Sequence, residues 1–352
     1  MLRPFLQVVL RLLLFSLGAL STAAELDLPP PGAFTIVVIP DTQGYRGRAT
    51  KATPASTEPL TNPVFENHTR WIVEQRERQA IVFVSHVGDI VDINNDDQWQ
   101  LARTCLDRVH GVVPYSLTVG NHDMTRAGDS SRFQRQFGAA RFATFPWYAG
   151  AFNPPRPVQS VSGDNANSCQ LFSAGGLDFV HLSLECNAPD DVLAWADALL
   201  RKHAGRRALI TTHMDLGPLE KPGSNAEFIT APKGRMRWTK IHGDRGNSAE
   251  QMWEKLYRKH ANLAFIFSGD QSRTTALRLT ARGDAGNPVH SLLSDYTSSG
   301  PLRLYRFLPR ENRVRVITYD TTRREIVAST AYVPDRDQHQ FTLEYAMAGA
   351  RP

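Results

Sequence analysis

Apolar, β-branched runs recur along the chain, and each stops abruptly at a polar cluster. Phe34 to Ile39 runs into Asp41, Ile81 to Val87 into Gly88-Asp89, and Tyr115 to Val119 into Gly120-Asn121-His122-Asp123. Ala208 to Ile210 leads through Thr211 and Thr212 to His213, and Leu263 to Phe267 leads to Ser268-Gly269-Asp270. Short runs that are apolar at consecutive positions predict strands buried on both faces. Helical patterns lie between them. Val64 to Arg78 gathers Phe65, Trp71 and Ile72 near one face, and Trp99 to Val109 does the same with Leu101, Cys105, Leu106 and Val109. Pro189 to His203 opens on Pro-Asp-Asp, and Ala249 to Lys259 follows Ser248 as an N-cap. Strands alternating with helices predict an α/β fold.

Ser168 to Ser173 and Leu177 to Leu184, joined by Ala174-Gly175-Gly176, predict a hairpin. In the C-terminal third, Val289 to Leu293, Leu302 to Phe307 and Val314 to Tyr319 have alternating character, which predicts antiparallel strands and a second or mixed sheet. Three polar stretches, Gly44 to Asn62, Met124 to Asn167 and Met214 to Asn247, each begin directly after a polar cluster. They are expected to border one face and shape a cleft. With no repeat and no linker, residues 25–352 read as a single domain.

Residues 1–24 read differently. Arg3 opens a short basic region, Leu12 to Leu20 is almost wholly apolar, and Ser21-Thr22-Ala23-Ala24 offers small residues for cleavage. The expectation is a signal peptide and an exported protein, periplasmic or secreted. The uncharged run from Leu12 to Ala24 falls short of the ~20 residues that a stable membrane span needs. Without Arg3 and Arg11 the formal charge drops from +5 to about +3. No Lys/Arg block of the kind that tracks nucleic acid is present, so charge implies no such partner. The spacing of Cys105, Cys169 and Cys186 matches no metal-binding pattern and predicts buried thiols.

Singly, each polar cluster is ordinary, because an Asp after a strand is usually a turn residue. Together they bring hard oxygens and imidazoles to one sheet edge, the place where open α/β folds bind ligands. In their order, Asp41-Thr42-Gln43, Gly88-Asp89-Ile90-Val91-Asp92, Gly120-Asn121-His122-Asp123, His213 and Gly269-Asp270-Gln271-Ser272 resemble the motifs of the calcineurin-like metallophosphoesterase superfamily. The resemblance spans residues 41 to 272. It implies a four-layer α/β/β/α sandwich of two mixed sheets flanked by helices. It also implies hydrolysis of a small-molecule phosphomonoester or phosphodiester by metal-activated water. By the same resemblance Asp41 ligates a first divalent ion, Asp89 bridges two ions, and Asn121 and His213 ligate the second. His122 is not a ligand in this scheme; it protonates the leaving oxygen or stabilises the transition state, with Asp123 or Asp92 orienting its ring.

The chain departs from the family pattern twice. Gln43 stands where well-known members carry His, and its neutral amide oxygen favours Mn²⁺, Fe²⁺ or Mg²⁺ over Zn²⁺. The family's Gly-His-x-His is replaced by Gly269-Asp270-Gln271-Ser272, in which Asp270 can ligate through oxygen and Ser272 is a poor ligand. Three readings stay open: a rebuilt two-metal site, a single-metal site, or a degenerate site on a non-catalytic phosphate-binding protein. Arg46, Arg48 and Lys51 are expected to form a solvated basic loop, and His86 and His181 to be core residues.

Overall fold

The computed structural model describes residues 26–154, 158, 160–297 and 299–347; the signal peptide read at residues 1–24 lies outside them. The described residues form sixteen strands: β1 Phe34–Ile39, β2 Ile81–His86, β3 Tyr115–Leu117, β4 Tyr148–Ala151, β5 Ser168–Ala174, β6 Leu177–Leu184, β7 Arg207–Thr212 and β8 Leu216–Pro218, then β9 Lys233–Arg235, β10 Leu263–Ser268, β11 Ala276–Arg282, β12 Pro288–Ser294, β13 Pro301–Leu308, β14 Arg313–Asp320, β15 Glu325–Ile326 and β16 Gln340–Glu344. The α-helices are α1 Pro63–Gln75, α2 Asp96–Asp107, α3 Ser131–Phe137, α4 Asp190–Lys202, α5 Asn225–Thr230 and α6 Ala249–Lys255. Among the described residues no helix is long and apolar enough to cross a membrane.

Two seven-stranded sheets carry the fold, the first in the order β15-β14-β13-β1-β2-β3 with β16 also on β14, the second β11-β12-β10-β7-β6-β5-β4. Both are mixed. Strands β1, β2 and β3 run parallel in the first sheet, as do β6, β7, β10 and β12 in the second. The apolar runs are continuous because each strand faces two cores. Phe34, Ile36 and Val38 of β1 join Leu209, Phe265 and Phe267 between the sheets, while Val37 and Ile39 pack under α1 and α2 with Phe65, Ile72 and Trp99. On the far side Ala208 and Ile210 of β7 and Ile266 of β10 meet Val192, Ala196, Leu200 and Trp253 of α4 and α6. These three cores define the expected α/β/β/α layering.

The predicted hairpin is β5–β6, antiparallel, with Gly175 and Gly176 both at positive φ in its turn. Ser248 caps α6 in a reciprocal capping box with Gln251. The three cysteines are buried and unbridged. One expectation is corrected. Strands β13 and β14 are antiparallel as read, but β12 lies parallel to β10 and antiparallel only to β11. The second and third polar stretches carry short elements of their own, α3 and β4 in the one and β8, α5 and β9 in the other.

Below the ends of the parallel strands the two sheets are joined by hydroxyl groups. Ser85 of β2 bonds Thr211 of β7 at 2.8 Å, and Thr118 bonds Ser183 of β6 at 2.7 Å. Such pairs have a preferred geometry that apolar packing lacks, so they fix the register between sheets directly beneath the polar clusters.

Candidate metal centre

The polar clusters converge from both sheets. Asp41 follows β1, Asp89 follows β2 and Asn121 follows β3 in the first sheet; His213 follows β7 and Asp270 follows β10 in the second. One ligand atom each from Asp41, Asp89 and His213, all three residues buried, lies within 4.8 Å of the others. Asp89 and Asp270 sit at positive φ, 51° and 71°, a backbone region that costs a non-glycine residue ~1 kcal/mol or more. The glycines before them in sequence or in space are there for room. A Cβ on Gly269 would lie 2.1 Å from Asp41 Oδ1, and one on Gly120 would lie 2.2 Å from Asp89 Oδ1.

Local anchors hold the loops. Asn62, the cap of α1, accepts from the Phe65 amide and donates to Thr42 O at 2.7 Å, tying α1 to the loop after Asp41. Thr42 Oγ1 donates to Ile90 O and accepts from His86 Nε2, while His86 Nδ1 accepts from the Gly88 amide. His86 is therefore a neutral clamp across two motifs, and burial pushes its pKa down to about 3.

His213 provides the test of whether a metal ion fits. Its Nδ1 lies 2.9 Å from Val87 O, which can only accept, so Nδ1 carries the proton and Nε2 the lone pair. That Nε2 is buried with no hydrogen-bond partner, 3.1 Å from Asp89 Oδ1 and 3.3 Å from Asp270 Oδ1. A lone pair facing carboxylates is repelled unless a proton or a cation lies between them. Burial opposes a charged His213, yet Asp89, Asp270 and Asp41 together outweigh it and raise the pKa well above the ordinary value. Metal ion and proton compete for the same position. Asp41 is raised well above the usual carboxylate range by burial and then by Asp295. Burial also pushes Asp89 upward, but His213 and the His122 amide, 2.9 Å from its Oδ1, hold it below that range. The donor set of carboxylates, one imidazole and the Asn121 amide oxygen suits a divalent cation.

Gln43 meets the cluster through its amide, with Nε2 donating to Asp89 Oδ2 at 2.9 Å. His122 stands on its rim: Nδ1 is 2.8 Å from Asp92 O, and Nε2 is 3.9 Å from Asp89 Oδ2. Of the two candidate orienters, Asp92 is the neighbour. Asp123 accepts instead from the Gly120 and Val91 amides, and burial pushes its pKa up to about 6. Lys51 lies on an exposed loop, as expected, and it also pairs with Asp92 Oδ1 at 2.7 Å and reaches His122 Nδ1 at 3.1 Å. Ser272 lines a cavity of about 860 Å³ with Arg273, Tyr296 and Thr297.

Two residues escaped the sequence reading. Asp295 follows β12, is 1% exposed, and is the carboxylate that acts most strongly on Asp41. Burial pushes it up to about 6, partly offset by donation from the Thr297 amide and hydroxyl to Oδ1. Its loop is braced from the first sheet by buried Arg303, which donates to Leu293 O and Tyr296 Oη. A signal existed, since the β12 run also ends in an Asp, but the antiparallel expectation would send that end away from the site. Lys240 is the second. Its Nζ donates to Asp270 Oδ1 and, at 3.1 Å, to Asn121 Oδ1. Burial opposes that charge and Asp270 more than restores it, raising the Lys240 pKa. Nothing in the local sequence marks it.

A profile of the calcineurin-like phosphoesterase family matches residues 34–245. The Bacillus subtilis (strain 168) protein YvnB, described as uncharacterized, is 27% identical over 308 residues, a match that takes in 83% of this chain and 20% of YvnB. The chain thus spans about a fifth of that relative's length. Among solved structures, the calcineurin-like phosphoesterase YfkN of Bacillus subtilis gives a TM-score of 0.42 at 11% identity, covering 90% of this chain and 91% of its own. The 5'-nucleotidase precursor of Thermus thermophilus gives 0.44 at 13% identity, covering 90% and 55%. With the family profile matched across more than half of its length, from β1 past Lys240, this chain belongs to the calcineurin-like phosphoesterase family.

Proposed function

We propose that the chain is an exported hydrolase of small-molecule phosphoric esters, dependent on divalent metal, one ion or two, with Asp41, Gln43, Asp89, Asn121, His213 and Asp270 as the available ligands. The observation that carries this reading is the convergence of buried Asp41, Asp89 and His213, with His213 Nε2 3.1 Å from Asp89 Oδ1 and 3.3 Å from Asp270 Oδ1. Export rests on the sequence of residues 1–24 alone. When bound, the metal supplies Lewis acidity to the phosphoryl group and a nucleophile from water near neutral pH.

The chain's own residues do the remainder. Asp41 and Asp89 give the site its negative charge, and Val87 O fixes the His213 tautomer. His122, with Nδ1 donating to Asp92 O, presents Nε2 toward the cluster and delivers a proton to the leaving oxygen. Asp123 acts one step back, by shaping the turn from Gly120 to His122 through its two backbone bonds. The cavity beside Ser272 and Thr297 accommodates the organic part of the ester.

The test strips the protein of metal and reconstitutes it with Mn²⁺, Mg²⁺, Fe²⁺ or Zn²⁺ before assay on p-nitrophenyl phosphate and its bis ester. Metal-dependent turnover is expected, and His122→Ala should reduce it by about 10²–10⁴-fold. Absence of turnover with every metal, with His122→Ala indistinguishable from the parent, sinks hydrolysis of these substrate classes and leaves phosphate binding without catalysis.

A further inference from the structure

We propose that Lys240 is a built-in cation that takes the place of a second metal ion, so that the site holds one divalent ion. This rests on the metal-dependent reading above and goes beyond it. Asn121 and Asp270 are the oxygens that a second ion beside His213 would need, and both already receive Lys240 Nζ. Metal–oxygen bonds of ~2.0–2.2 Å leave no space for an ammonium on the same two oxygens. Two cations there would also repel each other in a water-poor site. The Asp270 carboxylate is 1% exposed, so the pair is not a loose surface contact.

The lysine is placed by a scaffold, which separates it from a surface side chain that happens to fold inward. Asn187, just beyond β6 and at φ 55°, accepts through Oδ1 from the amides of both Lys240 and Ile241, at 2.9 and 3.3 Å. Its Nδ2 donates to Asn247 O, closing the other end of the same segment. His242 donates its amide to Arg126 O, and its ring occupies the space beside Gly128, where a Cβ would lie 2.0 Å from Cε1. The Lys240 ammonium itself lies 5.8 Å from the centre of the Trp238 ring. Residues 238–242 are thus fixed on both sides of the side chain that enters the site.

The remaining ligands form a compact set for the single ion: Asp41, Asp89 and His213, with Gln43 at Asp89 and Asp295 beside Asp41. An ammonium differs from a metal ion in what it can do. It neutralises and orients a phosphoryl oxygen by hydrogen bonding, and it cannot be removed by a chelator.

Metal counting on the full chain, stripped and then titrated with Mn²⁺, tests the assignment without reference to turnover. One ion per chain is expected for the wild type and two for Lys240→Ala, in which Asn121 and Asp270 are released. Lys240→Met, which keeps the stem across Trp238, guards against loss of folding and should also bind two, with circular dichroism confirming the fold. Two ions in the wild type overturn the inference while leaving the proposed function standing; none overturns both. One ion in the wild type and one in both folded variants also overturns it, because the lysine would then not be what excludes the second.

Discussion

At the residue scale, the site concentrates negative charge where water is scarce. Asp41, Asp89, Asp270 and Asp295 act on one another, and Lys240 and His213 are the cationic neighbours. A cluster of like charges destabilises the metal-free protein and is relieved by a bound cation. Asp295→Asn keeps an oxygen for the Thr297 donors and removes one charge. The metal-free variant should gain about 1 kcal/mol of stability, whereas the further gain on adding Mn²⁺ should shrink. Denaturation with and without metal measures both. A variant that loses metal-free stability and keeps the full metal-induced gain would place Asp295 outside the cation's field.

At the element scale, the strands that end in ligands were legible because each is apolar at consecutive positions, and only a strand covered on both faces reads that way. Strand β11 was missed for the opposite reason. It is an edge strand, Ala-Leu-Arg-Leu-Thr-Ala-Arg, mostly half-buried or exposed, so its alternation is diluted by charge. Missing β11 hid the true neighbour of β12, and with it Asp295. Lys240 was illegible for a different cause: it lies in an aperiodic segment and is positioned by Asn187, more than fifty residues earlier. The motif glycines were legible as a pattern, but their reason is spatial. Gly269→Ala would set a Cβ 2.1 Å from Asp41 Oδ1 and 2.5 Å from Val87 Cγ2. The end of β10 must then shift away from β1, at a cost of about 1–3 kcal/mol in stability. Mn²⁺ affinity measured by calorimetry should fall with it; unchanged affinity would show that Asp41 does not need its present position.

At the scale of the whole molecule, several imidazoles are buried uncharged, because burial outweighs whatever neighbours would favour their protonation. Burial brings His181 down to about 3 and His68 to about 4. In the unfolded chain these groups bind protons near pH 6.5, so between pH ~6.5 and ~4 the unfolded state holds more protons and stability falls as pH falls. Asp41 and Asp295, raised when folded, contribute with the opposite sign, so a single-site comparison is needed. His181→Gln should flatten the decline from pH 6 to pH 4.5 by up to about 1.4 kcal/mol per pH unit in denaturant titrations. Equal slopes for variant and parent would mean that His181 is protonated without unfolding.

The division of ligands between two sheets has a consequence for how the protein is assembled. Asp41 and Asp89 belong to one sheet and His213 and Asp270 to the other, and hydroxyl pairs such as Ser85 with Thr211 help set the alignment beneath them. Neither half presents the complete donor set. Under the proposed reading, tight binding therefore waits until one sheet has closed upon the other. The ion then works as a lock and not as a template: it slows the opening of a finished chain and gives no help to one still being made.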